Sequence, residues 1–107
     1  MKFEIAEKLA IVNLVDSVIM ADGEVHKGEI NAFSDLMEVI DFDSNFLLQA
    51  RNLNTENSIS LLKGMPQDKK ERLIKILEDI AISDGFVHEK ELEVITHVIS
   101  SIGTSNT

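Results

Sequence analysis

The chain has 107 residues, 44% of them apolar, enough for one domain with a real core. Its 10 basic against 19 acidic residues give a formal charge of −9, which repels phosphate backbones and anionic lipid and argues against nucleic-acid or membrane-surface binding. There is no cysteine, so disulfides and thiolate metal sites are excluded.

At the N-terminus Lys2 precedes an apolar-rich stretch, but Glu4, Glu7, Lys8 and Asp16 interrupt it, and no small-residue cleavage site follows a clean apolar run. No window approaches about 18 uncharged apolar residues, so no transmembrane helix is expected. The reading is a soluble, cytoplasmic protein with no membrane insertion.

Residues 3–21 carry Phe3, Ala6, Leu9, Ala10, Leu14, Val15, Val18 and Ile19 at helical spacings, with Ile5, Ile11, Val12 and Met20 widening the stripe. A helix this apolar around its circumference is central rather than peripheral. Gly23 then supplies a residue that ends helices at low steric cost. Residues 27–41 repeat the pattern through Ile30, Phe33, Leu36, Met37 and Ile40. The run Asp41–Asn45 reads as a turn, whose Asp43 or Ser44 caps a short helix carrying Phe46, Leu47 and Ala50. Thr55 is expected to cap a helix through Ile59, Leu61 and Leu62, which Gly64 closes. Pro66 suits the first turn of the next helix.

Residues 67–83 form a second long helix with Leu73, Ile74, Ile76, Leu77, Ile80 and Ala81 inward. A final helix runs from about 89 to 102 through Leu92, Ile95, Val98, Ile99 and Ile102. No stretch alternates with period two over a strand length. The expectation is all-α: a compact bundle of about six helices in a single domain over 1–103, with 104–107 a frayed tail.

The chain states one phrase twice. Residues 22–30 read DGEVHKGEI and residues 84–92 read DGFVHEKEL, an offset of 62 residues with Asp, Gly, Val, His and Glu identical. The flanks align too: Leu14, Val15, Val18 and Ile19 with Ile76, Leu77, Ile80 and Ala81, and Phe33, Leu36, Met37 and Ile40 with Ile95, Val98, Ile99 and Ile102. Two pseudo-symmetric helical hairpins joined by short helices are therefore expected.

Capping accounts for most of the phrase. With His26 as N-cap, Glu29 falls at N3 for half of a capping box, and Val25 against Ile30 is a hydrophobic staple. His88, Glu91, Val87 and Leu92 repeat these roles. A calcium loop of the EF-hand type fits Asp, Gly and Glu, but positions one and three would be Val18 and Met20, or Ile80 and Ile82, none of which ligates calcium. A looser divalent-cation site is the alternative. Its carboxylates would be Asp16, Asp22 and Glu29 at the first corner and Asp79 (or Glu78), Asp84 and Glu91 at the second. All-oxygen ligands of this kind suit calcium, magnesium or manganese, while His26 and His88 would offer nitrogen to zinc.

The phrases MADGEVHKGEI and ISDGFVHEKEL, each after a long apolar helix, resemble the TerB-like domains, which include tellurite-resistance TerB proteins and the N-terminal domain of DjlA-type co-chaperones. The resemblance spans roughly residues 5–102. It implies a compact all-helical bundle, a role in tellurite and other chemical-stress responses, and cation binding by acidic residues, here Asp22, Glu29, Asp84 and Glu91. Ser83 stands where the family pattern has alanine.

No phosphate loop, zinc-protease motif or nucleophile elbow appears, so no enzyme is expected. His97 falls on the solvated side of its helix, and Lys69, Lys70, Arg72 and Lys75 form a solvated basic face too small for DNA. The expected function is a non-catalytic interaction module that docks a protein partner, with no cofactor. Divalent-cation binding is the alternative, and a homodimer through an outer helix is a further one.

Overall fold

The computed structural model describes residues 3–21, 27–83 and 89–102, without the side chains of residues 19, 21, 27–29, 32, 80–83 and 89–95. These residues form α1 (Ile5–Ala21), α2 (Lys27–Val39), a 3-10 turn (Ser44–Phe46), α3 (Leu47–Arg51), α4 (Thr55–Lys63), α5 (Gln67–Ser83) and α6 (Glu89–Ile102). Among the described residues there is no strand. The all-α bundle expected from periodicity is the observed fold. Its radius of gyration is 12.7 Å, close to the about 13 Å of a compact chain of this length.

α1 is the central helix. Leu9, Ala10, Ile11, Val12, Asn13, Leu14 and Val15 are consecutive and all buried, so every side of nearly two turns is covered. The cover comes from α4 and α3 with α6 and α2. Phe3 ahead of α1, Leu36 and Ile40 of the α2 hairpin, Ala50 of α3, Leu62 of α4, Met65 between α4 and α5, Leu73, Ile76 and Leu77 of α5, and Val98 and Ile102 of α6 complete the core. At the helix ends the apolar pattern overreaches: Ile5, Met20 and Ile30 are more than half exposed.

α1 opens on half of a capping box. Glu4 is the N-cap, and Glu7 at N3 accepts from its backbone N–H at 2.8 Å. α2 ends on a Schellman motif: Phe42 N–H donates to Met37 O and Asp41 N–H to Glu38 O. Asp41 takes the left-handed position at φ 57°. Asp43 caps the 3-10 turn, as its sequence suggests.

Two local expectations change, at the α4 cap and at Pro66. The α4 cap is Asn54, whose side chain accepts from Asn57 N–H; Thr55 instead turns its hydroxyl to Ser17, 2.8 Å away. Gly64 ends α4 as expected, in right-handed geometry at φ −79°, so the end does not require glycine. Pro66 stands one residue before α5 and accepts the first helical bonds, from Lys69 and Lys70.

The long helices follow the repeat closely. α1 and α5 start at 5 and 67 and end at 21 and 83, and α2 and α6 start at 27 and 89. α1 packs on α2 and α6, α5 packs on α6 and α2, and α2 packs on α6. These neighbours are unchanged when α1 is exchanged with α5 and α2 with α6. The rotation axis expected to relate the hairpins stays a proposal. α3 and α4 break the pattern, because their main partner is α1.

Candidate functional site

One face of α1 organises the short helices. Asn13, Asp16 and Ser17 lie three and four residues apart and so share a stripe. Asn13 is buried; its Nδ2 donates to Ala50 O at 2.9 Å and Leu53 O at 3.2 Å, and its Oδ1 accepts from Ser58 Oγ at 2.7 Å. Asp16 accepts from Arg51 Nε at 3.3 Å across the same seam. Ser17 meets Thr55. The stripe thus ties α3 and α4 to α1 with polar contacts, each buried group given a partner.

This geometry places only part of the expected carboxylate set. Asp16 faces α3 and is ion-paired with Arg51. Asp79 is exposed on α5 and pairs with Lys75 at 3.6 Å, one helical turn away. Asp22 and Asp84 lie outside the described residues, as do the side chains of Glu29 and Glu91 and the histidines His26 and His88. The capping box and staple assigned to the two corners lie there as well. Among the described residues no group of three or more His, Asp or Glu could hold a metal ion. His97 is exposed, as expected.

The basic face of α5 is less uniform than its sequence suggests. Lys69 turns inward and donates from Nζ to Glu7 Oε1 at 2.8 Å, with only 18% of its side chain exposed. Its pKa is raised from 10.5, chiefly by this hydrogen bond, against a smaller opposing effect of burial and with help from the Glu7, Glu4 and Asp68 charges. Arg72 and Lys75 remain exposed and line an open cleft of about 390 Å³ between α2 and α5, with Asp35, Glu38, Val39, Ile76 and Asp79.

A second surface lies on the short helices. Ala50, Ser58 and Leu62 are buried, whereas Phe46, Leu48, Leu53 and Leu61 remain exposed, Leu48 by 73%. Neither this surface nor the roles of Asn13, Glu7 and Arg51 appeared in the sequence reading. The available signal was Asn13 itself, a lone amide inside the run IVNLV.

The fold and site can be set beside known proteins. No curated protein matches the chain. A crystal structure of a protein of unknown function from Porphyromonas gingivalis superposes with a TM-score of 0.79 at 23% identity, covering 100% of this chain and 90% of that one, a likeness of fold. The family model described as tellurite resistance protein TerB matches residues 8–107. With nearly its whole length in that match and the all-helical bundle to accompany it, the chain belongs to the TerB family.

Proposed function

We propose that this TerB-family chain is a non-catalytic, cytoplasmic protein-interaction module that serves a stress response of the tellurite-resistance kind. The observation that carries the reading is the α3–α4 segment. It packs on α1 with Ala50, Ser58 and Leu62 buried, while Leu48, Leu53 and Leu61, and Phe46 just before it, stay in solvent. Large apolar side chains gathered in one exposed segment suit a protein partner. No helix of the described residues is long and apolar enough to cross a membrane.

Leu48→Glu tests it, since a side chain this exposed is replaced without loss of core packing. The variant should keep the urea midpoint of the unaltered protein and fail to restore tellurite tolerance to a strain lacking the gene. A deletion strain indifferent to tellurite and to oxidants would remove the stress setting. A fully active Leu48→Glu protein would remove this docking surface.

The second reading is divalent-cation binding by Asp22, Glu29, Asp84 and Glu91, with Asp16 and Asp79 beside them. Its support is that capping leaves Asp22 and Asp84 without a role. An NMR titration with calcium, magnesium, manganese and zinc decides it: localised, saturable shifts should vanish in Asp22→Asn and Asp84→Asn. Diffuse shifts that persist in both variants would end the reading.

A further inference from the structure

α4 occupies the groove between α1 and α6, touching both helices. The repeat interval of 62 residues carries α1 onto α5, and α6 corresponds to α2 by the same interval. The matching groove therefore runs between α5 and α2. There the structure has the open cleft, and none of the described helices fills it as α4 fills its counterpart.

The correspondence extends to side chains. On α1, Asn13 and Ser17 hold α4 through Ser58 and Thr55, beside buried Leu14. Sixty-two residues on, these positions are Lys75, Asp79 and Ile76, and all three line the cleft. Neutral polar anchors beneath a resident helix are replaced by charges that water can solvate. Lys75 and Asp79 are 73% and 62% exposed, while Ile76 stays buried as an apolar floor and Val39 stands half exposed on the rim.

We propose that the α2–α5 cleft is a second helix seat, filled by an amphipathic helix of a partner protein in the place that α4 takes between α1 and α6. The proposal rests on the interaction-module reading and names a different surface from the α3–α4 segment. The walls define the visiting helix. It carries an apolar side chain for Ile76 and Val39, an acidic residue for Lys75 and Arg72, and a basic residue for Asp79 on the same face. Opposite charges across such a seat set orientation and partner choice as well as affinity. The occupant is read as another protein because the cleft combines both signs of charge with an apolar floor.

The probe is a peptide of residues 54–64 bearing Thr55→Lys and Ser58→Glu, stapled across the solvent-facing positions Glu56 and Ser60. By analogy with the native contacts of α4, the lysine introduced by the first substitution meets Asp79. The glutamate introduced by the second meets Lys75. Titrated into the full chain, the peptide should give saturable amide shifts in residues 35–39 and 72–79. The charge-reversed peptide, with Thr55→Glu and Ser58→Lys, should bind at least about tenfold more weakly. The swap Lys75→Glu with Asp79→Lys in the protein, at two exposed sites, should reverse the order of the two peptides. Absence of saturable shifts up to about 1 mM peptide, equal affinity for both peptides, or shifts confined to residues 9–17 would overturn the seat. Concentration-dependent shifts of the cleft residues without any peptide would also overturn it, in favour of a second copy of the chain. None of these failures touches the outcome of the Leu48→Glu test.

Discussion

Glu7 and Lys69 are 62 residues apart, the interval of the repeat, and their side chains bond to each other at 2.8 Å. Each is the third residue of a long helix, Glu7 in α1 and Lys69 in α5. The bond therefore joins two positions related by the repeat interval, one in the first turn of each long helix. Glu7 also accepts the Glu4 backbone N–H, so one carboxylate caps α1 and binds the start of α5.

Stability at alkaline pH should follow this pair. The Lys69 pKa is higher in the folded chain than its ordinary 10.5, with the Glu7 hydrogen bond the largest cause. Its contribution is therefore fully present below 10.5 and declines as pH rises through the higher folded value. Glu7→Gln keeps an oxygen for the Glu4 cap and removes the charge. Urea unfolding between pH 9 and about 12 should show a difference between the two proteins that is constant at the lower end and narrows at the upper. A difference independent of pH across that range would mean that the Lys69 charge has no part in it.

The Asn13 junction should be the costliest polar site to disturb. Asn13→Ala leaves Ala50 O, Leu53 O and Ser58 Oγ without the partner they now share. Stripping partners from buried polar groups predicts a loss of about 2–4 kcal/mol by denaturant unfolding. Ser58→Ala removes one of the three bonds and should cost less, and the double variant should cost less than the sum because the two residues are in contact. Strict additivity would show that the bond between them contributes nothing.

Two helix ends should both gain stability from a glycine exchange, made in opposite directions. Asp41 occupies the left-handed region at φ 57° and uses its backbone carbonyl to accept from Lys8 Nζ. Asp41→Gly keeps that carbonyl, relieves the side-chain clash and should stabilise by about 0.5–1 kcal/mol. Gly64 is right-handed, and a Cβ there would meet Leu61 O and Ser60 O at an ordinary 3.5 Å. Gly64→Ala should therefore also stabilise, by about 0.4–1 kcal/mol, through the unfolded chain. Thermal melts of the two single variants check both signs.

How far these features can be read in the sequence depends on the range of the interactions behind them. The spans 67–83 and 89–102 were expected and are the observed α5 and α6, because apolar residues recur with helical period between clear boundaries. Capping was less legible: Thr55 and Asn54 are both favoured N-caps, and what separates them is Ser17, 38 residues away, which takes the Thr55 hydroxyl. Asn13 was missed because it bonds across 37, 40 and 45 residues, mostly to carbonyls that every residue type carries. Lys69 looked like one more solvated lysine because its partner Glu7 is distant in sequence and near only in the fold. Of the expected carboxylate set, the repeated phrase made Asp22 and Asp84 conspicuous, but their corners lie outside the described residues.

Asp16 offers the sharpest test of that carboxylate set. Arg51, 47% exposed, holds it at 3.3 Å, and a pair open to water on this scale contributes at most about 1 kcal/mol. Arg51→Gln should therefore move the urea midpoint little while freeing a carboxylate from a competing positive charge. If Asp16 shares a cation with Asp22 and Glu29, manganese should bind Arg51→Gln more tightly than the unaltered chain, because the ion no longer displaces a guanidinium. Calorimetric titration of both proteins measures the difference directly. Equal affinities, or no heat in either, would take Asp16 out of the set and leave it as the anchor of α3 on α1.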